Sequence, residues 1–412
     1  MRHAGFLASV LSLTLFAFGG ELRAEEKPVV ADGPVQIDPV DFGAPVPIEK
    51  ADIDKGTAWY DARLLGIEGQ AFRDTKAPFD RLPARAEPPT PKKGDSDEAT
   101  KEAQKGKVRT DVWNLSRDSA GLCVRFLTDA TTISCDWTLT KANLAMPHMP
   151  ATGVSGVDLY VRDDAGKWRW LACKPPVAQS TSTVVVTNLP AGTREYRLYF
   201  PLYNGVKDIR IGIPEKSILS RGPKFAAGHE KPIVFYGTSI THGASASRTG
   251  MVHTAILGRR LDRPVVNLGF SGNGRMETEV VTFLNEIDAA VFVIDCLPNI
   301  QAAEVTARTA PLVEQIRKAH PDTPILLVED RNYSDSFLIA SKRTRNETSQ
   351  AALKKEFEAL KAKGVKGLYY LAGDKLLGDD NEGTVDSSHP TDLGFFRQAD
   401  AFEPVLREIL KD

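Results

Sequence analysis

Two hydrophobic rhythms divide the chain. Up to about residue 220, apolar and polar positions alternate in short runs: "AGLCVRFLTDATTISCDWTL", "GVDLYVRDDAGKWRWLAC", "STVVVTNL", "REYRLYFPL" and "DIRIGIP". A period of two marks strands with one covered face, and Thr128-Asp129-Ala130 and Asp163-Asp164-Ala165-Gly166 read as the turns between paired runs. Many short strands at this spacing predict an all-β sandwich or jelly roll. Beyond Arg221-Gly222-Pro223 the apolar runs become near-continuous: "PIVFYG", "PVVNLG", "AAVFVIDC", "TPILLVED" and "GLYYL". Amphipathic stretches such as "AAEVTARTAPLVEQIRKAH" and "SQAALKKEFEALKAKG" separate them. That alternation predicts a parallel sheet with helices on both faces, an α/β domain.

The opening residues follow neither rhythm. Arg2 and His3 precede "AGFLASVLSLTLFAFGG", and Ala24 offers a small residue for cleavage, so residues 1–24 read as a signal peptide. The expected mature protein is exported, periplasmic or secreted, without membrane insertion. A β domain over 25–222 follows, carrying a polar loop at about 83–107, and then the α/β domain over 223–412.

With 42% hydrophobic residues, 26% charged and a formal net charge of -2, the composition is that of a globular protein with no basic excess for nucleic acid. The four cysteines match no zinc spacing. Cys123 and Cys135 would face each other across a hairpin in one register and opposite faces in the next. Cys296 reads as a small buried apolar residue.

In an open parallel sheet, ligands bind beyond the carboxyl ends of the strands. Those ends carry Gly237-Thr238-Ser239, then "NLGFSGNG", then "DCLPN", and the segment before the last helix is "DSSHP". A serine hydroxyl becomes a nucleophile when a neutral imidazole takes its proton and a carboxylate orients that imidazole. The oxyanion that forms needs preorganised donors. Each fragment alone is weak, since Gly-Thr-Ser is commonly a turn or helix cap. Their conjunction in fixed order carries the reading.

These residues resemble the SGNH (GDSL-type) hydrolases. "YGTSIT" stands for the nucleophile block, "NLGFSGNG" for the glycine block, "DCLPN" for the asparagine block and "DSSHP" for the last. With "VWNLSRDSAG" and "RLYFPLYNGV" upstream, the chain is similar to a bacterial subgroup with an N-terminal β-sandwich. The resemblance implies a flavodoxin-like three-layer α/β/α domain and a triad of Ser239, His389 and Asp386. It also implies an oxyanion hole from the N–H groups of Ser239 and Gly272 and the amide of Asn299, with no cofactor and no metal. Thr238 replaces the usual aspartate, and Leu297-Pro298 replaces the usual glycine before Asn299. The activity implied is hydrolysis of O-acyl esters, acetyl foremost, on a saccharide or another small ester. A short-chain esterase or acyltransferase with the same triad, and a silent carbohydrate-binding protein, are the alternatives.

Other residues have competing roles. Arg248 and His242 are candidate substrate contacts, against loop-pinning for the first and a cap or surface position for the second. Trp168 and Trp170 share one strand face and suit a sugar platform or, more ordinarily, core or domain interface. His148 and His253 read as structural.

Overall fold

The computed structural model describes residues 43–90, 98, 102 and 104–411, which belong to one compact unit. The expected signal peptide and part of the polar loop lie outside the described residues.

Among the described residues the first half forms eleven strands: β1 (Asp52–Asp54), β2 (Thr57–Asp61), β3 (Ile67–Glu68), β4 (Cys123–Thr128), β5 (Ile133–Leu139), β6 (Val157–Arg162), β7 (Trp168–Lys174), β8 (Ser180–Val186), β9 (Arg194–Tyr199), β10 (Val206–Pro214) and β11 (Leu219–Arg221). They build two antiparallel sheets, ordered β1-β2-β10-β5-β8 and β11-β4-β9-β6-β7, with β3 on β4. The expected sandwich is present. Its core sets Cys135, Trp137 and Ile211 of one sheet against Val124, Phe126, Tyr196 and Leu198 of the other.

One expected hairpin is absent. β6 and β7 pair around Gly166, whose N–H donates to Asp163 O at 2.8 Å. β4 and β5 instead enter different sheets, β4 pairing with β9 and β5 with β10. Both strands carry alternating apolar sets, and each buries its set against the other across the sandwich. Cys123 and Cys135 therefore lie in different sheets, and all four cysteines are free.

The second half contributes β12 (Ile233–Gly237), β13 (Val265–Gly269), β14 (Val291–Asp295), β15 (Ile325–Val328) and β16 (Leu368–Leu371), all parallel, in the order β13-β12-β14-β15-β16. Counted within the half this is 2-1-3-4-5, the flavodoxin-like order, with a switch point at β12. Alternate residues serve opposite faces. Val234, Tyr236, Phe292 and Ile294 pack toward Val305, Leu312, Val313 and Ile316 of the helix Ala302–Ala319. Ile233, Phe235, Val291 and Val293 pack toward Phe395, Phe402 and Leu406 of Asp392–Leu410.

Both faces also take residues from the first half. Phe72, Leu82, Val112 and Trp113 enter the first core, and Met149, Val154, Leu202 and Tyr203 the second. The helix Ala340–Ala362 is longer than its amphipathic signal, because its opening "ASKRTRNET" is polar all round.

The segment Gly156-Val157-Asp158-Leu159-Tyr160 makes a further seam. Asp158, fully buried, accepts from the Gly250 N–H and from Arg248, both at 2.8 Å, and from Trp170 Nε1 at 2.9 Å.

Candidate active site

β12 ends at Gly237, and Ser239 opens the short helix Ser239–His242. Thr238 caps that turn, its hydroxyl accepting from the Ile240 N–H at 3.3 Å, so the residue in the aspartate position performs a cap's role. Ser239 is 7% exposed, and its Oγ lies 2.8 Å from His389 Nε2. The other ring nitrogen, Nδ1, lies 2.7 Å from Asp386 Oδ2. With Nδ1 donating to the carboxylate, Nε2 is left as an acceptor facing the hydroxyl.

Burial raises the Asp386 pKa, but the His389 and Ser388 backbone N–H groups and the His389 ring outweigh it, holding the carboxyl below its ordinary value. The loop that carries both residues is anchored at Ser387, whose carbonyl accepts from the Ser334 N–H at 2.9 Å and whose hydroxyl accepts from Lys342 Nζ at 2.7 Å.

Beside Ser239 runs the glycine block. Gly272 has φ +68, the left-handed region, and its N–H donates to no described residue. The Ser239 N–H, at the first position of its helix, is likewise uncommitted. A Cβ on Gly274 would fall inside the Gly237 carbonyl oxygen, so only glycine lets the two loops close up. Asn299 ends the turn after β14. Its amide is satisfied when its oxygen accepts from the N–H groups of Asn273 at 3.1 Å and Gly274 at 3.2 Å. The reverse orientation would give one bond of 3.3 Å to the Gly274 carbonyl and turn the oxygen toward acceptors only. Two N–H donors decide for the first, which leaves the NH2 on the edge facing acceptors.

The turn carrying Asn299 is clamped by Arg345, which donates to the carbonyls of Leu297 at 3.1 Å, Pro298 at 3.0 Å and Ile300 at 3.2 Å. Asp330 holds that guanidinium at 2.7 Å. Under the Ser239 turn, Thr241 donates to Asp295 at 3.1 Å, and Asp295 forms a buried pair with Arg331.

Behind Ser239 stand residues of the two upstream segments. Tyr203 Oη donates to the Ser239 carbonyl at 3.3 Å and stacks on His242 with centroids 4.1 Å apart. His242 is fully buried, its Nε2 donating to the Leu202 carbonyl at 2.7 Å. Burial first, then the charge of Arg81, pushes its pKa far down, so it is neutral. Asp118 Oδ2, 3.8 Å from that nitrogen, is therefore no ion-pair partner. His242 packs behind the Ser239 turn and does not line the candidate site.

Arg248 is likewise engaged elsewhere, pinned by Asp158 and lying over Tyr160 and Trp170. Trp168 joins Cys123, Tyr160, Tyr199 and Ala255 in a small cluster at the junction, which is the interface reading of the tryptophan pair. His253 is buried among Phe235, Phe395 and Phe402. His148 is exposed, with its ring centroid 6.4 Å from that of His389. No local pattern in the sequence marks it, because the meeting depends on how two distant loops fold. Among the described residues no group of three or more His, Cys, Asp or Glu could hold a metal ion, and no helix is long and apolar enough to cross a membrane.

A hydrogen-bonded Ser–His–Asp relay with uncommitted N–H donors, at the switch point of a 2-1-3-4-5 sheet, defines the architecture of a serine-type α/β/α hydrolase. Residues 230–407 match the GDSL-like Lipase/Acylhydrolase family, and residues 99–219 match the N-terminus of Esterase_SGNH_hydro-type. A solved structure described as a GDSL-like lipase from Bacteroides ovatus is 34% identical, with a TM-score of 0.76 over 86% of this chain and 98% of that one. The chain belongs to the GDSL-like (SGNH) esterase family.

More distant structures share the fold. The salicylyl-acyltransferase SsfX3 from a tetracycline biosynthetic pathway is 17% identical, with a TM-score of 0.62 over 87% of this chain and 96% of that one. A family two carbohydrate esterase from Clostridium thermocellum, solved with cellohexaose, is 14% identical, with a TM-score of 0.52 over 71% of this chain and 96% of that one. Among curated proteins none matches the chain.

Proposed function

We propose that the protein is an exported esterase that removes short acyl groups, acetyl foremost, from saccharides through an acyl-enzyme. The observation that carries this reading is the 2.8 Å contact of Ser239 Oγ with His389 Nε2, backed by Asp386, next to two uncommitted N–H groups. Ser239 Oγ attacks the ester carbonyl carbon while His389 Nε2 takes its proton. The N–H groups of Ser239 and Gly272 and the NH2 of Asn299 hold the tetrahedral oxyanion. His389 then protonates the leaving alcohol oxygen, and the C–O bond to that oxygen breaks. Water, deprotonated by the same nitrogen, attacks the acyl-enzyme, and the acid leaves with Ser239 restored. Family membership supports ester hydrolysis, and the saccharide preference draws on the fold shared with carbohydrate esterases and on the expected export signal.

Acetate release from acetylated polysaccharides and from p-nitrophenyl acetate, by the wild type and Ser239→Ala, tests the reading. Release from both that the substitution abolishes is the expected result. Ser239-dependent release from p-nitrophenyl acetate alone leaves a short-chain esterase. Release that survives in Ser239→Ala overturns the nucleophile.

A further inference from the structure

We infer that His148, carried by the β-sandwich, contacts the alcohol half of the ester and selects hydroxyl-bearing alcohols. This rests on the hydrolytic reading of Ser239 and His389.

The residue stands at the tip of a tight turn between β5 and the short helix Ala151–Val154. Met146 and Met149 exchange backbone hydrogen bonds of 3.0 Å each way, which leaves Pro147 and His148 between them. The turn is fixed to the hydrolase half. Met149 is buried in the core beneath β12, and Met146 packs against the same core. Thr152 donates to the Ser247 carbonyl at 2.5 Å, and Gly153 lies so close to the Ala246 carbonyl that no side chain fits there. A rigid support thus presents an exposed imidazole whose ring hydrogen-bonds to no described residue, tilted 34° to the His389 ring at 6.4 Å between centroids.

The side of the ester that it meets follows from the chemistry. The carbonyl oxygen must face Gly272, Asn299 and the Ser239 N–H, because those donors take the oxyanion. The leaving oxygen must face His389 Nε2, because that nitrogen gives it its proton. Groups on the Nε2 side of the His389 ring therefore flank the leaving alcohol, and His148 is assigned to that side. An imidazole can both donate and accept, which suits neighbouring hydroxyls on a polyol and offers nothing to a plain alkyl chain.

The test uses the reverse of acylation. The acetyl-enzyme formed by full-length protein from p-nitrophenyl acetate is partitioned between water and methyl β-xyloside. Acetylated xyloside and free acetate are then counted. Both products arise from one intermediate with His389 as the base, so their ratio is independent of active-enzyme content and of acylation rate. It also cancels any effect exerted through His389.

His148→Ala is expected to lower the ratio about tenfold, the worth of one or two hydrogen bonds, and His148→Gln to restore part of it. A ratio unchanged in His148→Ala overturns the inference, as does a wild type that transfers nothing to the xyloside. Failure of the underlying reading looks different: p-nitrophenol is then released equally by the wild type and Ser239→Ala.

Discussion

Arg81 and Gly269 come from opposite halves of the chain, and the guanidinium of one donates to the carbonyl of the other at 2.9 Å. The same group reaches the carbonyls of Asn267 at 3.0 Å, Asp118 at 2.8 Å and Leu115 at 2.6 Å. Burial pulls its pKa down to about 10, still high enough to keep the charge at neutral pH. Gly269 ends β13 within the glycine block, so a residue of the antiparallel half fixes the strand end from which the rest of that block runs. Arg81→Met is expected to cost about 3–5 kcal/mol in urea unfolding, because it strands buried carbonyls. Arg81→Lys recovers little, since a compact ammonium cannot span four acceptors.

Asp158 is the acceptor on which the other seam depends. Asp158→Ala leaves Arg248 and the Gly250 N–H without their partner, and about 3–5 kcal/mol of stability is expected to be lost. Thermal unfolding of Asp158→Ala, Arg248→Ala and the double variant checks this. The double variant should be more stable than the sum of the two losses predicts, because neither change then leaves the other partner alone.

Asp386 is held below its ordinary pKa, so a carboxylate faces His389 Nδ1 through the neutral and mildly acid range. Asp386→Asn should lower kcat by about three to four orders of magnitude, through the wrong tautomer, with KM little changed. Steady-state kinetics on p-nitrophenyl acetate gives both values.

Asp330 carries a pH signature of its own. Burial pushes its carboxyl up to about 6, against the opposing charges of Arg345 and Arg331. The folded state then holds this proton more tightly than the unfolded chain does. The group accordingly favours the fold in acid, and that advantage fades as pH rises through about 6, a swing on the order of 3 kcal/mol. Asp330→Asn, which cannot titrate, should flatten the difference in stability between about pH 4 and pH 7. Urea unfolding across that range is the measurement.

Residues 223–412 expressed alone should not fold cooperatively. Val234, Tyr236 and Phe235 lose neighbours such as Phe72, Trp113 and Leu202, and each large apolar side chain uncovered costs about 1.5–3 kcal/mol. Circular dichroism on heating would show a broad loss of signal in place of a sharp transition.

Much of this was legible in the residues. Strands of the second half announce themselves because both faces are covered, and the chemistry at their ends demands particular residue types: a hydroxyl, an imidazole, an acid and an amide in order. The β4–β5 corner was not legible, since a strand that turns back and one that crosses to a facing sheet share the same alternation. Arg81, Arg345 and His148 were not legible either. Each acts on backbone or rings far away in sequence, and nothing local distinguishes such a residue from a solvated one. "VWNLSRDSAG" and "RLYFPLYNGV" held a partial signal, and they turn out to place Asp118 beside His242 and Tyr203 against the Ser239 carbonyl. Arg248 and His242 misled for the opposite reason: they follow Ser239 within ten residues but turn away from it.

The shared cores also set a timetable for the growing chain. The first 220 residues leave the ribosome with Phe72, Val112 and Trp113 lacking the strands that later cover them. His389 and the helix Asp392–Leu410, which closes the opposite face, are made only after all five strands of the parallel sheet. Assembly therefore awaits the synthesis of that helix, and a polypeptide stopped before it lacks both the His389 imidazole and the lining of one face. In the interval its uncovered first half is a natural client for holding chaperones.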